Sequence, residues 1–199
     1  DLAPAQLSVK VFNATALDQI HFYNPNDFNS VSNKLGLVTE HGKGALVTLG
    51  DIIVSDDGNN EETLYIFNHE NIHFDSATTI DVQTQSDQKL AVKHFLGLSR
   101  SDRGFNILNE AITEITNVEL IKEYWRKQPD LRGIEVSLNP LGYAPYVDFF
   151  KRLIGLVDDE TGLGYETVLK RLQSQMFSGK GKALDLITEA IGCERAEKI

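Results

Sequence analysis

Cysteine is nearly absent from this chain: a single residue, Cys193, lies in a charged segment near the C-terminus. A lone cysteine excludes an intramolecular disulfide framework and a cysteine-based metal cluster. Long apolar runs are missing too. No stretch approaches the roughly 20 apolar residues that span a bilayer, and no charged-then-apolar signal segment opens the sequence. Basic charge is also scarce, with 19 Lys and Arg against 29 Asp and Glu, a formal net charge of -10 and a pI near 4.9. Without a basic stripe to neutralise phosphates, a nucleic-acid or anionic-membrane partner is not expected. Such a surface favours solubility. The missing membrane span and signal segment lead to the expectation of a soluble protein, and the start at Asp1 rather than Met leaves open whether it is cytoplasmic or secreted with its leader removed. Oligomeric state is left open.

What is present is ordinary globular material. Hydrophobic residues make up 41% and charged residues 24% of the 199, which suits one domain with a sizeable core. In the first 60 residues, "LSVKVF" alternates apolar and polar positions. "GALVTLGDIIVSDDGNN" gives two short β-rich runs around Gly50, closed by a turn-forming Asp-Gly-Asn-Asn. From Glu61 onward the pattern is mainly helical. "EETLYIFNHENIHFDSAT" carries acidic residues in its first turn, with Leu64, Phe67 and Ile72 at near-helical spacing. "FNILNEAITEITNVELIKEYW" repeats apolar residues through Ile107, Leu108, Ala111, Ile112, Ile115, Val118 and Ile121. Residues 77–104 between these helices read as a polar connection, with one short element around "KLAVKHFLGL" and a loop, "SRSDRG". After Pro140, "YAPYVDFFKRLIGLV", "GYETVLKRLQSQMF" and "GKALDLITEAIG" read as three further helices. There is no repeat, low-complexity tract or linker.

The stretch "IFNHENIHFDS" carries the chemistry. On a helix, residues four apart project from one face, so His69 and His73 can grip one metal ion. Glu70, one residue along, is poorly placed as a ligand of the same ion, yet its carboxylate can reach a water there and take its proton. Catalytic zinc usually takes three protein ligands and leaves a fourth position open. "LNEAITE" offers the third. If Glu110 faces the metal, Glu114 lies one turn away on the same face and can accept a hydrogen bond from a ligand histidine, while Asn109 can steady the neighbouring backbone.

His69-Glu70-Asn71-Ile72-His73 together with Asn109-Glu110-Ala111-Ile112-Thr113-Glu114 resembles the gluzincin metallopeptidases, the thermolysin-like branch of the zincins, whose pattern is HExxH followed by NExxx(D/E). The resemblance covers mainly residues 61–125. It implies a compact α+β, zincin-like single domain over residues 1–199, with a small N-terminal twisted sheet in 1–60, an HExxH active-site helix and a mainly helical part in 61–199. It further implies Zn2+ on His69, His73 and Glu110, Glu70 as general base, and a peptide or protein substrate hydrolysed by a metal-activated water. Several small gluzincin families place a tyrosine at the start of the helix after the glutamate helix, and "LGYAPYVDFF" fits that arrangement with Tyr143, with Tyr146 in reserve. The gap from His73 to Glu110 is longer than in thermolysin and suggests an inserted loop shaping the cleft. Asp75 stands where an apolar residue commonly follows.

Other readings stay open beside this one: a polar helix with no metal, a catalytically idle zinc-binding module, and a zinc hydrolase acting on a non-peptide substrate. Both tyrosines can instead pack the amphipathic helix that includes Val147, Phe150 and Ile154. His94 is read as structural, though it could line a cleft. His21 and His41 read as surface or strand-end residues, and Tyr124 and Trp125 as core or interface aromatics.

Overall fold

The computed structural model describes residues 7–11, 19–35, 43–46, 51–76, 78–84, 90–100, 105–127, 143–179 and 183–196. In chain order the elements are β1 (Leu7–Val11), β2 (Ile20–Tyr23), α1 (Pro25–Lys34), β3 (Gly44–Leu46), β4 (Ile52–Ser55), α2 (Asn60–Asp75), β5 (Thr78–Thr84), β6 (Leu90–Leu96), β7 (Ser99–Arg100), α3 (Asn106–Lys127), α4 (Ala144–Thr161), α5 (Tyr165–Ser178), α6 (Ala183–Ile191) and α7 (Cys193–Ala196). The chain is α+β. Its contacts group into two compact units, one of Asp1–Phe12, Ser76–Ile112 and Pro145–Ile199, the other of Asn13–Asp75 and Thr113–Ala144.

In the second unit a three-stranded sheet runs β2-β4-β3, with β4 parallel to β2 and antiparallel to β3. All four residues of β4, Ile52 to Ser55, are buried, as expected of a central strand that opens on the apolar run Ile52-Ile53-Val54. Helix α1 packs on β2 and β4, and α2 packs on β3 and β4. Ile66 and Phe74 of α2 cluster with Ile52 and Val54, and the half-buried Phe67 rests on that cluster. Local chemistry sets where the helices begin. The Asn24 side chain accepts from the N–H groups of Asn26 and Asp27, with Pro25 opening α1. Ahead of α2, Asp56 Oδ1 accepts the Gly58 N–H at 3.0 Å, and the φ of +89° at Gly58 is one that side chains resist. Asn59 Oδ1 accepts the Glu62 N–H at 3.3 Å, and Glu61 and Glu62 complement the dipole of the first turn.

In the first unit an antiparallel sheet runs β1-β5-β6-β7. Its helices bury apolar stripes at helical spacing: Phe150, Leu153, Ile154 and Val157 on α4, Val168, Leu169, Leu172 and Met176 on α5, and Ala183, Leu184 and Ile187 on α6. Gln175 Oε1 on α5 accepts the N–H groups of Ala183 and Leu184, which fixes where α6 starts.

The expected sheet-rich part, 1–60, and mainly helical part, 61–199, each hold elements of the other kind. Helix α1 falls inside the first, and β5, β6 and β7 fall inside the second. Between the two motif helices, β5 and β6 pair antiparallel, with Thr78 opposite Leu96 and Thr84 opposite Leu90. Its first strand, "TTIDVQT", looks polar, but threonine is a strong β-former and β5 gains two neighbours, β1 and β6. Within "SRSDRG", Ser99–Arg100 pairs with β6, and residues 101–104 lie outside the described ones. Tyr124 is exposed and not a core aromatic; the Trp125 side chain and His41 lie outside the described residues. No described helix is long and apolar enough to cross a membrane.

Candidate metal centre

Helix α2 carries Tyr65, His69 and His73 in one i, i+4 row, and all three are buried. Buried histidines need partners for both ring nitrogens. The two Nε2 atoms face each other at 3.2 Å. Zinc–nitrogen bonds of about 2.0–2.1 Å at a tetrahedral angle place two ligand nitrogens about 3.3 Å apart, so this spacing fits one shared ion. Helix α3 supplies the third donor. One ligand atom each from His69, His73 and Glu110 lie within 4.8 Å of one another, a group that could hold a metal ion. The set of two imidazoles and one carboxylate matches the chemistry of open, catalytic zinc sites.

Glu114 lies one turn further along α3 and is only 1% exposed. Its Oε2 is 3.1 Å from His69 Nδ1, and its Oε1 accepts the hydroxyl of Tyr65. A carboxylate at Nδ1 selects the imidazole tautomer protonated there, which leaves the Nε2 lone pair directed toward His73. Burial, with the hydrogen bond to Glu114 and its charge, raises the Tyr65 phenol above its ordinary pKa. The phenol therefore remains a donor. Asn117 Nδ2 donates to the Tyr65 carbonyl at 3.1 Å, a second tie between α2 and α3.

Glu70 is half-buried, beside strand β3. A Cβ at Gly44 would fall 2.9 Å from Glu70 Cγ, 3.0 Å from Glu70 Oε1 and 2.5 Å from Ile66 Cγ2, so glycine lets the strand backbone lie against this carboxylate. Tyr143, just before α4, stacks its ring on that of His69, with centroids 5.0 Å apart and planes 12° apart. Tyr146 stands one turn along α4 and is 38% exposed. Of the helix-packing residues set against these tyrosines, Phe150 and Ile154 are buried and Val147 is half-buried.

Asn109 Oδ1 accepts the Leu98 N–H at 2.9 Å, which ties the β6–β7 turn to α3. A Cβ at Gly97 would meet that oxygen at 2.6 Å, and its φ is +58°. Among the described residues of the long gap between motifs, 78–84 and 90–96 pair as antiparallel strands and 99–100 pair with the second of them. Asp75 accepts from Asn71 Nδ2 at 3.1 Å, within the last turn of α2. His94 sits on β6 opposite Ile80, its side chain outside the described residues. His21 is a half-exposed strand residue 3.6 Å from Asp51.

Tyr65, Gly44 and Asn117 were missed by the sequence reading. Tyr65 had a signal, one helical turn before His69 in the row that reaches His73. Asn117 lies three residues past Glu114 on the same face of α3. Gly44 had none, because its neighbours come from another element. No family model, curated protein or solved structure matches the chain, so the gluzincin resemblance rests on the two motifs alone.

Proposed function

We propose that the chain is a zinc-dependent peptide hydrolase. The observation that carries this reading is the convergence of His69, His73 and Glu110 donor atoms within 4.8 Å. When bound, the ion supplies a Lewis acid that polarises a scissile carbonyl and acidifies water at neutral pH. The chain's own residues do the rest. His69, His73 and Glu110 hold the ion, with Glu114 keeping the first of them in the liganding tautomer. Glu70 is not a ligand. It takes the proton from the attacking water and delivers it to the leaving amine, so no acyl-enzyme is needed. Tyr143, stacked on His69, is the neutral donor for the developing oxyanion.

The test is Glu70→Gln assayed on a peptide library alongside zinc content. Hydrolysis should fall about 10²- to 10⁴-fold, the usual cost of removing a general acid–base group, with zinc retained. Zinc lost along with activity would make Glu70 a ligand. A metal-replete wild type that turns over no peptide would favour the idle module or a non-peptide substrate.

A further inference from the structure

We propose that Tyr65 is a positioning residue for this metal centre, acting through Glu114 on His69. The inference rests on the metal-centre reading above and extends it one layer outward. Each Glu114 oxygen has its own donor, the Tyr65 hydroxyl at Oε1 and the His69 ring at Oε2. A carboxylate held at both ends cannot swing about its terminal torsion, which is otherwise broad and two-fold. The imidazole it holds is therefore fixed in plane as well as in tautomer. Tyr65 is itself fixed: its ring packs with Ile121, Leu64 and Val118, and its carbonyl accepts from Asn117. Phenylalanine would fill the same space and keep the apolar packing. It would leave Glu114 Oε1, in a residue 1% exposed, without this donor. A purely space-filling role and a positioning role thus differ by one hydroxyl. The raised pKa of the phenol supports the assignment, since the group keeps its proton over the working range.

The experiment compares wild type, Tyr65→Phe, Glu114→Gln and the double variant by zinc competition against a chromophoric chelator. The Co2+ absorption spectrum and the Tm of the chelated protein accompany it. Tyr65→Phe should weaken zinc about 10-fold, the lower end of what outer partners of metal ligands contribute, and should alter the Co2+ spectrum. Placed on Glu114→Gln, it should add less than about twofold, because the two act in series. Zinc affinity within twofold of wild type in Tyr65→Phe, or the same loss in both backgrounds, overturns the proposal. Should Tyr65→Phe fail to fold, Glu114→Gln decides alone: wild-type affinity in that variant means that nothing passes through Glu114. A wild type that binds no zinc removes the metal-centre reading and this one together. Tight zinc with an unaffected Tyr65→Phe removes only this one.

Discussion

Helices α3 and α5 are both buried, for opposite reasons. Helix α5 buries Val168, Leu169, Leu172 and Met176, an apolar stripe that pays for its ordering by leaving water. Helix α3 buries Leu108, Ala111, Ile112 and Ile121, but also Asn109, Thr113, Glu114, Thr116 and Asn117. Polar groups gain little by leaving water even when bonded, and a buried carboxylate is costly. A stable helix needs none of them there. The contrast separates a helix selected for stability from one that holds a carboxylate against a histidine.

That contrast can be broken by exchanging the consequences. Leu172→Ala on α5 should cost about 2–5 kcal/mol of stability, read by denaturant unfolding, while zinc affinity stays unchanged. Glu114→Gln on α3 should do the reverse. Zinc affinity should fall about 10- to 100-fold, and the Tm of the chelated protein should change less than in Leu172→Ala, because a buried charge has gone although the amide keeps an acceptor oxygen for only one of the two donors. Zinc loss in Leu172→Ala, or unfolding of Glu114→Gln with zinc affinity intact, would erase the distinction.

A sharper test lies where the reading is most specific. Tyr143→Phe keeps the ring that stacks on His69 and removes only the hydroxyl. If that hydroxyl serves the oxyanion, kcat falls about 10²-fold with zinc content and Tm unchanged. An unchanged kcat would leave Tyr143 as packing only.

The motif helices were legible because their logic is local. His69 and His73, like Glu110 and Glu114, are spaced by one turn, and a turn is readable from sequence. Which face each helix buries was less legible. Leu64 and Phe67 look like the buried face of α2 yet are half-buried, while Tyr65, His69 and His73 are buried, because α3 offers Tyr65 and His69 a carboxylate. Partners 45 and 49 residues away leave no local trace. Of the β5–β6 pair, only β6 was legible, as the short element around "KLAVKHFLGL"; β5 was hidden for a related reason, since strand pairing is set by neighbours and "TTIDVQT" carries its β preference in threonines. Helix α1 was overlooked although Asn24-Pro25 announces it.

The smallest expected effect lies on the surface of α2's first turn. Lys43 Nζ bonds Glu62 Oε1 at 2.7 Å and Asp57 Oδ2 at 3.1 Å. The Glu62 bond raises the Lys43 pKa, partial desolvation opposes it, and the Asp57 bond adds to the rise. The Asn59 N–H, then Lys43, hold Asp57 below the usual carboxylate range. The lysine's share is present below its unfolded pKa and fades as pH rises through the raised folded value. Asp57's share is present above its unfolded pKa and fades as pH falls through the lowered one. Lys43→Met should therefore lower Tm at neutral pH by no more than about 3 °C, with the difference shrinking at both pH extremes and in high salt. A larger or salt-independent loss would mean that this exposed pair matters more than such pairs do.

The most direct test of the metal centre is zinc per chain in protein purified without chelator, for wild type, Glu70→Gln, His73→Ala and Glu110→Ala. The account predicts near-equimolar zinc in wild type and Glu70→Gln, and loss from the other two. Zinc held at full affinity by His73→Ala, or none in wild type, would contradict it.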